Sequence, residues 1–503
     1  MTVEAMSRVP TGIDGLDTIL EGGLLRGGVY IIEGPPGVGK TTLGSHFCFN
    51  HAASGGRAVY ITLLAESHTR LLGHLRRMRF FEPSLVPERV SYVSAFKVLE
   101  AEGLGSLLKL VRQTVAAQKA TVVVLDGLVS AEEASPTAKD FKKFIHELQV
   151  VTAMVGCTAL LLNSTERPRG FRPERTMVDG IIELEDELVK LRAIRHLSVR
   201  KMRGAAPVRG KHVMTISDDG VAVVPRIETH RVETRRDVEI PIGRPRVNFG
   251  VTQLDAMMLG GVCEGSITAV VGPSGAGKTI LGLHFLHAGL ERGERGLYFG
   301  CFERPHVIVD KAKKLSLALD TPLLAVEWQR PVEGVIDLLA DQLLRTVRQH
   351  GPRRVFIDGL QGFHAAAESP ERLREVMSCL SEELEDLGVT AAYSAETPDL
   401  FGENLQLSIS GMSSLTHNIV LLNHVERPKT TRRTLTVLKV RDAQHDLSVR
   451  DFAITTRGFV VSEPDPDSAV GATPRSKVPT PTKRRKLPAS TPKQASKKRQ
   501  RRA

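Results

Sequence analysis

The sequence predicts an α/β protein built from two tandem copies of one domain, each with a mainly parallel sheet, followed by a disordered basic C-terminal tail. Three observations predict this class. Several sequence elements recur at one fixed offset, apolar strand-like runs alternate with amphipathic stretches inside each copy, and the composition changes abruptly after Val461.

The repeat is the most informative of the three observations. A glycine-rich element at residues 34–41 recurs at residues 272–279, an offset of 238 positions. Upstream and downstream of it, residues 11–17 recur at 249–255 and residues 201–203 recur at 439–441 with the same offset. An offset this long matches a whole domain rather than a solenoid repeat, so the sequence predicts a duplicated domain.

Alternating strands and helices are expected inside each copy. Short apolar runs are the strand candidates, and stretches such as residues 104–117 have the helical period between them. Buried strands that alternate with helices indicate a parallel sheet covered on both faces. The expected strands are 29–32, 58–62, 121–125 and 158–162 in the first copy and 267–271, 296–299, 354–357 and 389–392 in the second, with 197–200 and 434–438 expected as edge strands.

Composition and charge divide the chain further. We expect a first domain at residues 1–230, a linker at 231–245, a second domain at 246–462 and a disordered tail at 463–503. The tail has 12 Lys and Arg against 3 Asp and Glu, whereas the rest of the chain has 56 against 54. The balanced body is typical of a cytoplasmic protein. No run of about 18 apolar residues and no signal-peptide core occur, so no membrane association is expected.

Residues 34–41 and 272–279 both match the pattern GxxxxGK[ST], which predicts a phosphate-binding P-loop in each copy. The glycines let backbone N–H groups wrap the phosphates, the lysine reaches the β- and γ-phosphates, and the helix that begins there favours anions. We therefore expect two ATP sites. Their predicted nucleotide-binding residues are Gly34, Pro35, Pro36, Gly37, Val38, Gly39, Lys40, Thr41 and Thr42, and Gly272, Pro273, Ser274, Gly275, Ala276, Gly277, Lys278, Thr279 and Ile280.

Each copy also supplies oxygen ligands for Mg²⁺. The hydroxyl groups of Thr41 and Thr279 are the predicted P-loop ligands. Asp126 and Asp358 each follow an apolar run, where a Walker B carboxylate holds the metal ion. An aspartate that only caps a turn is the alternative, but both copies continue Asp-Gly-Leu, which favours the metal role.

Hydrolysis needs a group that orients or deprotonates water, and one glutamate in each copy is placed for this role. Glu66 lies 26 residues after the P-loop lysine of its copy, and Glu303 lies 25 residues after its own. Both follow a predicted strand, so we expect them at the strand ends beside the γ-phosphate. The alternative is a solvated loop glutamate.

A pair of cations recurs late in each copy. Lys201 and Arg203 are two residues apart on a predicted strand and therefore share a face, as do Lys439 and Arg441. Paired cations far in sequence from the P-loop suggest an arginine-finger role, in which they stabilise charge on a phosphoryl group. A solvated edge strand is the alternative.

With these motifs the sequence resembles the KaiC family of two-domain RecA-like ATPases. The resemblance covers residues 8–462 and rests on the two P-loops, the elements upstream of them, and residues 178–182, 201–204, 437–446 and 452–458. It implies two RecA-like P-loop NTPase domains, a homohexameric double ring with ATP between subunits, and Lys-x-Arg pairs that reach the neighbour's nucleotide. It also implies slow ATP hydrolysis and, in the second domain, serine/threonine autokinase activity, with Ser413 and Ser414 as candidate phosphosites.

The sequence departs from the family pattern at two places. Family members often have two adjacent glutamates at the catalytic position, whereas here Glu66 follows Leu-Ala and Glu303 follows Phe302. His417 stands where an aspartate is usual, although the first copy keeps that aspartate as Asp179.

Two other classes of function stay open. A DNA-dependent recombination or repair ATPase of the RecA/RadA type shares the fold, but RadA-type proteins add a four-cysteine zinc module and this chain has no Cys-x-x-Cys pair. A nucleotide-dependent signalling scaffold with little turnover is the third class, and signalling proteins are the expected protein partners.

The tail is expected to contact a different kind of partner. Its basic clusters at residues 483–486 and 497–502 lie among prolines with almost no aromatic residues. Flexible cations neutralise phosphates, whereas base stacking needs aromatic side chains. The tail therefore predicts binding to DNA or another polyanion without sequence preference, against the alternative that it only keeps the protein solvated.

Overall fold

The computed structural model describes residues 7–65, 68–165, 174–189, 191–229, 244–330, 335–397, 415–427, 430–441, 443–456 and 458–463. The described residues up to Ser462 belong to one structural unit. Within these ranges, no helix is both long enough and apolar enough to cross a membrane.

Strands and helices alternate through the first half of the chain. Its strands are β1 (Arg8–Val9), β2 (Leu24–Leu25), β3 (Val29–Gly34), β4 (Ala58–Thr62), β5 (Val90–Ser94), β6 (Val122–Asp126), β7 (Thr158–Ser164), β8 (Gly180–Val189), β9 (Arg192–Met202), β10 (His212–Ser217) and β11 (Gly220–Val224). Its helices are α1 (Leu16–Ile19), α2 (Lys40–Ala53), α3 (His68–Leu75), α4 (Phe96–Gln118), α5 (Leu128–Glu133), α6 (Ala138–Val155) and α7 (Glu174–Met177), with 3₁₀ turns at Pro83–Leu85 and Ile227–Thr229.

The second half repeats this order. Its strands are β12 (Arg246–Val247), β13 (Val262–Cys263), β14 (Ile267–Gly272), β15 (Gly296–Gly300), β16 (Leu324–Trp328), β17 (Arg354–Asp358), β18 (Thr390–Glu396), β19 (Asn418–Arg427), β20 (Thr430–Val440), β21 (Arg450–Thr455) and β22 (Gly458–Val461). Its helices are α8 (Thr252–Met257), α9 (Lys278–Leu290), α10 (Pro305–Lys314), α11 (Ile336–His350), α12 (Leu360–Ala366) and α13 (Pro370–Asp386).

Each half contains one nine-stranded sheet with the same topology. The order is β11-β10-β9-β8-β3-β7-β6-β4-β5 in the first and β22-β21-β20-β19-β14-β18-β17-β15-β16 in the second. The strand that leads into the P-loop, β3 or β14, lies between two parallel neighbours. Strands β8–β11 and β19–β22 are antiparallel extensions. The mainly parallel α/β fold that the sequence predicts is therefore present twice.

Side-chain alternation along the central strand explains the two apolar layers. In β3, Tyr30 and Ile32 pack with α1 and α2 on one face, whereas Val29 and Ile31 pack with α4, α5 and α6 on the other. Successive residues of a strand point to opposite faces, so a continuous apolar run is what a sheet covered on both sides requires.

Two strand expectations were wrong. Residues 197–200 and 434–438 lie in β9 and β20, which are interior strands and not edge strands. The alternation in β20 arises because Leu435 and Val437 pack in the core, whereas Leu438 on the other face is exposed. Strands β10 and β21, which pair with the outer sides of β9 and β20, were not predicted.

The end of the first half packs against the second half. Ile227 is buried in the same apolar cluster as Ile336 and Leu343 of α11. Next to it, Glu228 is ion-paired with Arg372 of α13, which also pairs with Asp337. Residues 227–229 fall within the expected first domain, and Ile227 packs in the apolar cluster of the second half.

Candidate nucleotide-binding sites

The two P-loops connect the central strand of each sheet to the helix that follows it. Gly39 and Gly277, the last loop residues, have φ angles of 111° and 104°. These angles favour glycine, and a Cβ on Gly39 would also displace the Ile216 side chain, whose Cδ1 atom would be 2.4 Å away. Helices α2 and α9 begin at the next residue, and their first backbone N–H groups are therefore available at the loop.

The P-loop lysines fold back over their own loops. The Nζ atom of Lys40 donates to the carbonyl oxygens of Gly34 and Pro35 at 2.9 and 2.8 Å. Lys278 makes the same two bonds, to Gly272 and Pro273, at 2.9 and 2.7 Å. Burial lowers the pKa of both lysines, whereas nearby carboxylates act in the opposite direction. An anionic phosphate would thus meet an ammonium group that has already lost much of its water.

The predicted metal ligands of the first copy are in contact. Thr41 donates its hydroxyl hydrogen to Asp126 Oδ2 across 3.0 Å, and Asp126 ends strand β6. A hydroxyl and a carboxylate are the hard oxygen donors that Mg²⁺ prefers, with phosphate oxygens and water as the remaining ligands. In the part of the chain that the structure describes, no cluster of three His, Cys, Asp or Glu could hold a metal ion. The Thr41 hydroxyl and the Asp126 carboxylate are donors that fit a Mg²⁺ ion bound together with a nucleotide.

In the second copy Asp358 has different neighbours. Ser394 donates its hydroxyl hydrogen to Asp358 Oδ1 at 2.7 Å, and Thr279 lies in the same cavity. The same Ser394 hydroxyl accepts a hydrogen bond from the backbone N–H of Gly359 at 2.7 Å. Asp358 is therefore held in place by Ser394 of the neighbouring strand, β18.

A tyrosine that no motif predicted contacts each of these aspartates. Tyr60 donates to Asp126 Oδ2 at 2.6 Å, and Tyr298 donates to Asp358 Oδ2 at 2.7 Å. Burial raises the pKa of both phenols, so they stay protonated and act as donors. The two tyrosines are 238 positions apart, and this shared offset was the signal that could have identified them.

An open cavity of about 740 Å³ lies over the second P-loop. Several predicted residues line it together, namely Ser274, Gly275, Gly277, Lys278, Thr279, Ile280, Glu303 and Asp358. It also contains two cations that the sequence analysis did not identify, Lys311 and Arg433. A cavity of this volume is within the range of small-molecule sites.

The two predicted water-activating glutamates are not at equivalent backbone positions. Thr62 pairs with Asp126 and Gly300 pairs with Asp358, so these two strand ends correspond. Glu303 lies three residues after its strand end, where the first copy has Ala65. Glu66, one residue further, is outside the described residues, as are the candidate phosphosites Ser413 and Ser414.

The Lys-x-Arg pairs lie at the other end of the sheet from the P-loop of their own domain. Lys201 is opposite Ile181 in β8, and Ile181 is opposite Ile31 in β3. The P-loop begins after Gly34, so about 10 Å of strand separates the two positions. In the second copy, Lys439 is likewise opposite Ile419, which neighbours Ala269 in β14.

The cations of these pairs are held close to the strand ends. Lys201 and Arg203 both donate to the carbonyl oxygen of Thr176, at 2.8 and 3.0 Å, and Lys439 donates to that of Thr416 at 2.8 Å. The expected shared strand face is only partly present, because β9 ends at Met202 and Arg203 lies in the following turn. Arg441 likewise follows the end of β20.

Comparison with known proteins agrees with the presence of one P-loop site in each half of the chain. A family model described as "ATPase: KaiC" matches residues 9–228 and again residues 247–466. The chain belongs to the KaiC ATPase family. The resemblance that the motifs indicated is therefore confirmed, and each half is a KaiC-type ATPase domain.

Relatives align along almost the whole chain. The circadian clock oscillator protein KaiC of Thermostichus vulcanus is 25% identical over 475 residues, covering 91% of this chain and 89% of that protein. KaiC of Synechococcus elongatus is 24% identical over 472 residues, covering 90% and 89%. The circadian clock protein KaiC3 of Synechocystis sp. is 23% identical over 483 residues, covering 92% and 93%.

Proposed function

We propose that this KaiC-family ATPase binds two MgATP per chain and slowly hydrolyses them at contacts between the subunits of a homohexameric ring. The observation that carries this proposal is the position of the Lys-x-Arg pairs. Each pair lies at the end of the sheet opposite its own P-loop, which supports a role at the P-loop of another subunit.

The first residues to act are those of the P-loops. Their backbone N–H groups and Lys40 or Lys278 bind the phosphates of ATP. Thr41 with Asp126, and Thr279 with Asp358, would hold Mg²⁺, and Tyr60 and Tyr298 keep those carboxylates oriented. When bound, Mg²⁺ supplies positive charge that offsets the charge of the β- and γ-phosphates.

Hydrolysis then needs a water molecule that is oriented and deprotonated. Its oxygen attacks the γ-phosphorus, its proton passes to a glutamate, and the bond between the γ-phosphorus and the bridging oxygen breaks to leave ADP and phosphate. Glu303 lines the second cavity and is our candidate for this role there; Glu66 is our candidate in the first domain. The neighbour's cations, Lys201 with Arg203 or Lys439 with Arg441, would stabilise the charge that develops on the transferred group.

Equilibrium binding of MgATP tests the number of sites. Two sites per chain are expected for the wild type, and Lys40→Ala or Lys278→Ala should each remove one, because each removes the phosphate-binding ammonium of one loop. Lys314→Ala, an exposed lysine of α10, is the control and should keep both sites. One site in the wild type would contradict the proposal.

Autokinase activity in the second domain is a further part of the proposal. Ser413 and Ser414 match the family's phosphosites by sequence, which is the support for it. Phosphopeptide mapping after incubation with ATP is the test, and an unmodified peptide over residues 405–425 at full coverage would exclude these sites under those conditions.

The proposed setting is signalling or regulation in the cytoplasm, with protein partners of the signalling class. The basic tail is proposed to bind DNA or another polyanion, with six tails acting together on a ring. DNA binding that is lost on truncation after Ser462 and that weakens steeply with salt would support this. Equal binding by the truncated protein would place the nucleic-acid surface elsewhere.

A further inference from the structure

One ion pair in the second-domain cavity has no part in the function described so far. Lys311 of α10 donates from Nζ to both carboxylate oxygens of Glu303, at 2.6 and 2.7 Å. Both side chains are about one-third exposed, and both line the cavity with the P-loop residue Lys278. The pair therefore faces the space that a nucleotide would occupy.

The loop around Glu303 does little to fix the position of its side chain. Glu303 lies in a bend between the end of β15 and the start of α10, and its neighbours Phe302 and Arg304 are exposed. A glutamate on such a bend can adopt several rotamers, and a misplaced reacting group lowers the rate of the reaction. Lys311 projects from a regular helix whose Ile308 and Ala312 are fully buried, so its position is fixed by the core.

The contact leaves the carboxylate able to accept a proton. Two ionised carboxylate oxygens offer about four lone-pair sites, and the ammonium group uses one on each oxygen. The remaining sites stay available to water.

The position that corresponds to Lys311 differs in the first domain. Leu71 and Leu75 are the buried residues of α3 and correspond in spacing to Ile308 and Ala312 of α10. The position equivalent to Lys311 is then His74, which is exposed. A lysine at this position is thus a feature of the second domain.

We propose that Lys311 is a positioning residue that holds the ionised Glu303 at the cavity wall, ready to take the proton of the attacking water. This inference rests on the proposed ATP hydrolysis in the second domain. Lys311 is not itself proposed to bind phosphate. Its removal should therefore slow turnover without weakening the binding of ATP.

The test uses full-length protein with Lys40→Ala, so that turnover reports the second site. In this parent, Lys311→Met should lower kcat by about 10-fold to 100-fold, while KM and the Kd for N-methylanthraniloyl-ATP stay within about threefold. Lys311→Arg should restore most of kcat, because a guanidinium group can also hold both oxygens of a carboxylate. Lys314→Met on the same helix should match the parent. The fluorescence of Trp328, the single tryptophan, checks that each variant is folded.

The other outcomes contradict different claims. A raised Kd with unchanged kcat would make Lys311 a phosphate ligand, and an unchanged or increased kcat would make the pair incidental or inhibitory. Each of these results overturns the positioning role. If adding Lys278→Ala to the Lys40→Ala parent removes no turnover, the second domain does not hydrolyse ATP. That result would overturn the proposed function of this site, and the inference with it.

Discussion

Asp179 and His417 are equivalent residues 238 positions apart, and the structure explains why the exchange is tolerated. Asp179 Oδ2 accepts a hydrogen bond from the backbone N–H of Val29 at 3.0 Å. His417 Nδ1 accepts the corresponding bond from Ile267 at 3.0 Å. Both side chains therefore anchor the first residue of the strand that leads into a P-loop. Burial lowers the pKa of His417, which keeps this nitrogen available as an acceptor.

Motifs predicted some site residues and not others, for a physical reason. The P-loops, Asp126 and Asp358 could be predicted because phosphate and metal binding impose residue types at fixed spacing. Tyr60 and Ser394 contact those aspartates from other strands, and Lys311 contacts Glu303 from a helix. Such contacts between elements leave no local spacing in the sequence. The shared offset of Tyr60 and Tyr298 was the one usable signal.

Two equivalent histidines predict a dependence of stability on pH. His46 and His284 are buried, and burial lowers the pKa of each to about 4. Each accepts a hydrogen bond from a backbone N–H, of Val221 and Phe459 respectively, which requires a neutral ring. In the unfolded chain a histidine has a pKa of about 6.5. Between pH 6.5 and 4 the unfolded state therefore binds more protons, and stability falls as pH falls.

The expected loss is about 3 kcal/mol for each histidine across this range. Urea unfolding followed by circular dichroism at several pH values measures it. The double variant His46→Gln/His284→Gln should have a lower starting stability, because the packing of His46 on Phe80 is lost, and a shallower pH slope. Equal slopes for the variant and the wild type would show that other groups cause the acid sensitivity.

At the scale of elements, the central parallel strands were predicted, whereas of the antiparallel strands only parts of β9 and β20 were, and these as edge strands. Strands β3, β4, β6 and β7 are continuous apolar runs because helices cover both faces. The strands that were not predicted are partly exposed and carry charged residues, as β21 illustrates. Their pairing depends on the neighbouring strand, which a short sequence window does not contain.

The 3₁₀ turn at Ile227–Thr229 is the element that joins the two halves most directly. Ile227 is 3% exposed and packs with α11, so its truncation should leave a cavity in the second domain. Ile227→Ala should lower the free energy of unfolding of that domain by about 2–4 kcal/mol. Trp328, in β16, reports unfolding of the second domain by fluorescence.

Leu447→Ala, at a leucine that is 64% exposed, is the control and should have little effect on that transition. If Ile227→Ala leaves the Trp328 transition unchanged, the turn contributes little to the second domain. The domains would then be coupled less closely than their shared apolar cluster indicates.

At the scale of the whole molecule, duplication has produced two related but unequal sites. Asp126 is bonded to the hydroxyl of its own P-loop threonine, whereas Asp358 is bonded to Ser394 of the next strand. In the second site Lys311 also contacts Glu303, while the equivalent position in the first is His74. Both domains share one feature that bears on assembly, which is the separation of the Lys-x-Arg pair from the P-loop of the same domain.

Mixed rings test the central claim, that one subunit completes the nucleotide site of the next. Both proteins carry Lys278→Ala to silence the second site; one also carries Lys40→Ala and the other Arg203→Ala. Each alone should be nearly inactive, because one lacks the P-loop lysine and the other lacks the arginine that the neighbour supplies. After mixing in equal amounts and reassembly, roughly a quarter of the sites would pair an intact P-loop with an intact arginine, and ATPase activity should recover to that extent. Full activity of the Arg203→Ala protein alone, or no recovery in rings shown to contain both chains, would contradict the account.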